Sequence, residues 1–197
     1  MTNKERVTRS KLILASASPR RLDLLARIGV VPDEVRPADI DEAALKSELP
    51  AAHAQRLAAE KAAAVAEPGV LTLAADTVVA AGRGILPKAE DEVTARHCLE
   101  LLSGRRHRVH SAVTLIDAEG KARHRLSTTI VTFKRLTGQE IAAYLASGEW
   151  QGKAGGYAIQ GRAEAFVRFL SGSHSGVVGL PLFETRALLL SAGYPLG

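Results

Sequence analysis

The sequence predicts an α/β fold with a mixed sheet flanked by helices, and three observations lead there. Near the front, the apolar run "LILA" at 12–15 passes through a short loop into the leucine-rich "LDLLARIG", a strand–loop–helix unit. In the middle, "VLTLAADTVVAA" at 70–81 is a continuous apolar stretch of the kind that forms a strand buried on both faces. Beyond it, two long strand-like runs flank "AEG" at 118–120 and read as an antiparallel hairpin. Strands that alternate with helices early and pair directly later combine in one mixed sheet.

Each element has its own local reason. A strand over 11–16 gives way to a helix over 19–28 that Gly29 terminates. Ser18 is a favoured N-cap, and Pro19 suits the first helical position because its missing N–H needs no partner there. The alanine-rich segment 50–67 is helical and ends at Pro68-Gly69. "AGRG" at 81–84 turns the chain after the central strand, and a third helix over 90–102 is closed by Ser103-Gly104. The hairpin strands cover 107–117 and 121–136, a helix over 137–147 ends at Gly148, and a terminal helix starts near Pro181. Between them lies "KAGGYAIQG", a glycine-rich loop in which Tyr157 and Ile159 predict an ordered strand aiming Gln160 at a ligand.

Bulk properties narrow the function. With 197 residues, 46% of them hydrophobic, the chain is long enough for one core, so residues 12–197 are expected to form a single domain behind a flexible basic tail at 1–11. The tail holds Lys4, Arg6, Arg9 and Lys11 against Glu5, so much of the formal charge of +5 sits there. That position, with only 4% aromatic residues for stacking, argues against a nucleic-acid binder. No apolar stretch is long enough to span a membrane, the start lacks a signal-peptide core, and the lone Cys98 forms no framework, so the expectation is cytoplasmic.

The chemistry-bearing residues begin with an anomaly. Arg20 and Arg21 stand in the first turn of a helix, where the peptide dipoles disfavour cations. An anion lying over that helix start offsets the repulsion. Asp76 stands inside the most apolar strand, where a carboxylate needs a cation, a metal or donors to hold it. It reads as a general base or metal ligand, or otherwise as a strand-end cap. Lys88 follows the turn after that strand and is placed to return over Asp76, unless it is a surface lysine. Lys61 is the one cation in a run of small helical residues and either snorkels to solvent or points at a shared anion. Asp39, Asp41 and Glu42 form an acidic loop ahead of a helix. The six histidines have no zinc-like spacing, and the common phosphate loops and the serine-hydrolase elbow are absent.

"LASASPRRLDLLARIG", "DIDE", "LAAEKA", "AADTVV", "ILPK", "LSGRRHRV", "SGEWQGKAGGYAIQG" and "VVGLPLFET" follow one another from about residue 12 to 186. In that order they resemble the Maf-like nucleoside triphosphate pyrophosphatases. The resemblance implies an elongated mixed sheet like that of inosine triphosphatases, with an active-site cleft between two lobes. It implies hydrolysis between the α- and β-phosphates with Mg²⁺ or Mn²⁺, and a possible homodimer. Asp76 falls on the proposed general base. Ser16, Ser18, Arg20 and Arg21 fall on the triphosphate loop, Lys61 and Lys88 on two lysines, and Glu42 on an acidic residue that joins Asp76 around the cation. Arg21, Thr77 and Gln160 match the branch similar to dTTP/UTP pyrophosphatases rather than the one preferring 7-methyl-GTP. Pro87-Lys88-Ala89 departs from the usual glycine-lysine-proline at that lysine. The competing reading is a non-catalytic regulator of septum formation or a nucleic-acid binder.

Overall fold

The computed structural model describes residues 10–196, so the greater part of the basic tail lies outside the described residues. The strands are β1 (Leu12–Leu14), β2 (Glu34–Val35), β3 (Leu71–Ala81), β4 (Gly84–Leu86), β5 (Lys88–Ala89), β6 (Arg106–Ile116), β7 (Ala122–Phe133), β8 (Lys153–Ala154) and β9 (Val167–Ser171). The helices are α1 (Pro19–Arg27), α2 (Pro50–Val65), α3 (Glu92–Leu102), α4 (Gly138–Ala146), α5 (His174–Val178) and α6 (Leu182–Ser191). Seven strands form one mixed sheet in the order β2-β1-β3-β6-β7-β9, with β4 beside the end of β3. β1 runs parallel to both β2 and β3, and the other pairings are antiparallel. β5 and β8 make a separate two-stranded ribbon.

Side-chain alternation on β3 sends its residues to two cores. Leu71, Leu73, Ala75 and Val79 join the main core with Leu24 and Leu25 of α1 and Leu99 of α3. Ala74 and Val78 face the other way, toward Ala54, Ala58 and Ala62 of α2. The alanine bias of α2 thus has a packing reason: small side chains let the helix lie close across β3 and β6.

One feature of the register makes the site. β1 pairs with β3 only as far as Leu14↔Leu73, and β4 begins to pair at Val79↔Leu86. Among the described residues, the edge of β3 between Leu73 and Val79 has no partner strand, while its other edge stays paired with β6 there. Asp76 and Thr77 lie in that gap.

Three local expectations need correction. Ser18 is the N-cap of α1, yet its hydroxyl makes no capping bond; its N–H instead donates to Ser16 Oγ at 3.2 Å. The segment 157–160 is not a strand. Gly155 and Gly156 adopt φ of +68° and +69°, which ends the ladder at Ala154 and turns the chain. The acidic loop does not feed a helix directly, since α2 starts only at Pro50.

Candidate active site

A cleft of about 360 Å³ opens at the gap in β3. Ser16, Ser18, Arg20, Arg21, Glu42, Lys61, Asp76, Thr77, Lys88 and Gln160 all line it, so ten residues spread over 145 positions meet in one place. The β1–α1 loop supplies one wall, the loop carrying Glu42 and helix α2 another, and the β5–β8 ribbon with the turn after it a third.

The two faces of β3 divide the chemistry. On the α2 side, Asp76 is 5% exposed and Lys61 is 8% exposed, and the Lys61 ammonium donates to Asp76 Oδ1 at 2.7 Å. The same ammonium lies 2.6 Å from Glu42 Oε1, and Lys88 pairs with the other Glu42 oxygen. Lys61 therefore does not snorkel to solvent: its ammonium bridges two carboxylates beside the cleft. This answers why an aspartate is tolerated inside an apolar strand, because a buried charge persists only where it is paired. Partial burial opposes ionisation of Glu42, but the Lys61 and Lys88 ammoniums outweigh it and hold its carboxyl down at about 2.

On the opposite side of β3, Thr77 faces residues of different character. Arg21 donates from Nε to the Gly179 carbonyl at 2.9 Å and from Nη1 to Ser16 Oγ at 2.8 Å. Burial pulls the Arg21 guanidinium below its usual range, opposed by the nearby Asp76 charge. Arg20 has no carboxylate partner among the described residues and remains available at the helix start. Its pKa is also lowered by burial. Gln160 is exposed on the turn that follows β8.

Sequence reasoning missed Lys153, which also lines the cleft and whose pKa is lowered by burial and then by the charge of Arg20. It missed Ser111 as well, an ordinary residue in a β-strand pattern until its register opposite Thr77 is known. The supports of the Gln160 turn were equally invisible. Tyr157 bonds His107 Nε2 at 2.8 Å, and the Tyr144 hydroxyl accepts from Ala158 N at 3.0 Å.

The donor set suits a hard divalent cation. Such ions take carboxylate, phosphate and water oxygens, often with only one or two protein carboxylates. Asp76 and Glu42 converge on one cationic group, which shows that the space between them accommodates positive charge. No group of three or more His, Cys, Asp or Glu able to hold a metal occurs among the described residues.

An α/β architecture with a cleft at a break in a mixed sheet, lined by cations around two carboxylates, defines a class of anion-handling sites. The HAM1 protein from Coxiella burnetii has a solved structure of similar fold, with a TM-score of 0.51 at 18% identity, covering 93% of this chain and 100% of that one. At the level of sequence the match is closer. The Maf-like protein family matches over residues 11–192, and the chain belongs to that family. A relative from Novosphingobium aromaticivorans named dTTP/UTP pyrophosphatase is 66% identical over 185 residues, covering 93% of this chain and 92% of the relative. Another of that name, from Rhodospirillum rubrum, is 62% identical over 196 residues and covers 98% and 93%.

Proposed function

We propose that this protein hydrolyses dTTP and UTP to the monophosphate and pyrophosphate in the cytoplasm, with a divalent cation, Mg²⁺ or Mn²⁺. The chain is a nucleoside triphosphate pyrophosphatase in kind, as its family and its high-identity relatives indicate. The single observation that carries the chemistry is the Asp76–Lys61–Glu42 bridge, buried at Asp76 and Lys61 and partly exposed at Glu42, which shares one cleft with Arg20 and Arg21.

Asp76 and Glu42 would hold the cation, which when bound polarises the reacting phosphate and lowers the pKa of water. Arg20 and Lys88 bind the phosphate oxygens, and the start of α1 adds the Arg20 N–H, since Pro19 has none and the Ser18 and Arg21 N–H groups are engaged. Ser16 and Ser18 contribute from the same loop. Substrate phosphate draws the Lys61 and Lys88 ammoniums from their carboxylate partners, which leaves Asp76 free to take the proton of the attacking water. Arg21, Thr77 and Gln160 face the nucleoside, the Gln160 amide pairing with the imide edge of thymine or uracil. The same reading treats 12–197 as the catalytic unit.

The test is pyrophosphate release from dTTP, UTP, CTP, 7-methyl-GTP and the common purine triphosphates, with and without Mn²⁺. The expected result is metal-dependent release greatest with dTTP and UTP. Best turnover of 7-methyl-GTP would overturn the assignment of Arg21, Thr77 and Gln160.

A further inference from the structure

Gln160 alone does not distinguish uracil from cytosine. Its amide carries a donor and an acceptor side by side and serves either base after a half-turn. Discrimination needs a cleft group whose hydrogen-bonding polarity is fixed, and the structure contains one.

Ser111, 1% exposed on β6, lies directly across from Thr77 on β3. Its hydroxyl donates to the Gly176 carbonyl at 2.6 Å, and a carbonyl only accepts, so the single Ser111 proton is committed there. The Ser111 oxygen is left as an acceptor, 3.1 Å from Thr77 Oγ1. Another acceptor near Thr77, the Gly179 carbonyl, lies at 3.5 Å, well beyond the ordinary O–H···O range and farther than Ser111. The relay therefore runs one way, from Thr77 through Ser111 to Gly176.

We infer that Ser111 is a specificity-determining positioning residue: it takes the Thr77 hydroxyl proton and leaves Oγ1 of this cleft-lining residue as an acceptor. An acceptor there favours a base with a ring N–H, which uracil and thymine carry at N3 and cytosine lacks. The inference rests on the pyrimidine reading above and adds to it the residue that sets the polarity.

The experiment is calorimetric titration of the protein with non-hydrolysable α,β-methylene analogues of UTP, CTP and N3-methyl-UTP, so that no turnover is needed. Wild type binds the UTP analogue in preference to the other two. Ser111→Ala lowers the preference for UTP over CTP by about tenfold, the scale of one mispaired hydrogen bond. Ser111→Thr keeps a hydroxyl and holds the preference within about twofold of wild type, on the same scale. An unchanged ratio in Ser111→Ala, or an equal loss for both analogues, overturns the inference and marks Ser111 as merely structural. So does equal binding of the UTP and N3-methyl-UTP analogues to wild type. Absence of pyrimidine triphosphate hydrolysis by wild type would count against the proposed activity instead, since the binding ratios are read independently of it.

Discussion

Asp76 and Glu42 share one ammonium, so changes at single residues here separate charge from shape. Asp76→Asn keeps the shape and removes the proton acceptor; turnover is expected to fall by about 10²–10⁴-fold, the usual contribution of a positioned base. Pyrophosphate release at saturating substrate measures it, and activity equal to wild type would remove Asp76 from catalysis. Lys61→Met leaves the buried Asp76 carboxylate without its partner. Loss of one member of such a pair costs about 3–5 kcal/mol, to be read from denaturant unfolding. His107 shows a different residue-scale effect. Burial pushes it down to about 4 from an ordinary 6.5, so the folded protein holds it neutral where the unfolded chain binds a proton. Its contribution is fully present above pH 6.5 and declines as pH falls toward 4. His107→Phe should flatten the stability profile in that window, measured by urea midpoints at successive pH values.

At the scale of elements, the β5–β8 ribbon and the turn after it position Lys88, Lys153 and Gln160 through close backbone packing. A Cβ on Gly155 would lie 2.8 Å from Val79 Cγ1, at a φ of +68° that L side chains rarely adopt. Gly155→Ala is expected to cost about 1–3 kcal/mol through strain and overpacking together, and to weaken nucleotide binding by displacing the turn. Thermal unfolding and calorimetry on the same variant would show both losses; binding unaffected by the shift would mean the turn does not position Gln160. The elements most legible in the sequence were long and strongly patterned, such as α2, β3 and the β6–β7 hairpin. The two-residue strands β2, β5 and β8 carry too few side chains for any period to show, and only their partners make them strands. At 157–160 the alternating apolar side chains imitate a pleat, but two left-handed glycines turn the backbone first and no strand forms.

For the whole molecule, the cleft joins segments from almost every part of the chain, so occupancy should stabilise the fold as a unit. Ligand at about a hundred times its dissociation constant adds about 2.7 kcal/mol. A non-hydrolysable dTTP analogue with Mg²⁺ is expected to raise the melting temperature of wild type, and Arg20→Ala should shrink the shift because Arg20 has no carboxylate partner among the described residues. An equal shift in both proteins would exclude Arg20 from phosphate binding. Acidification acts in the opposite direction. Glu42, held at about 2 by its two lysines, contributes stability that is present above its ordinary 4.5 and is lost as pH falls from there toward 2.

By itself the sequence determined the fold class and the principal helices and strands, because side-chain periodicity and helix-capping chemistry are local signals, and out-of-place residues singled out Arg20, Arg21, Lys61, Asp76, Lys88 and Gln160. Ser16 and Thr77, and the site roles of Ser18 and Glu42, came from the resemblance of ordered motifs to a family, and all ten come to line one cleft. Only the tertiary structure decided what those residues touch. The break in pairing along β3 admits both Asp76 and Thr77 to the cleft from opposite faces, and the bridging Lys61 and the Thr77–Ser111–Gly176 relay depend on register across the sheet. Hydrogen bonds fall off within a few tenths of an ångström and require a direction, and neither distance nor direction between segments 34 or 65 residues apart is encoded locally.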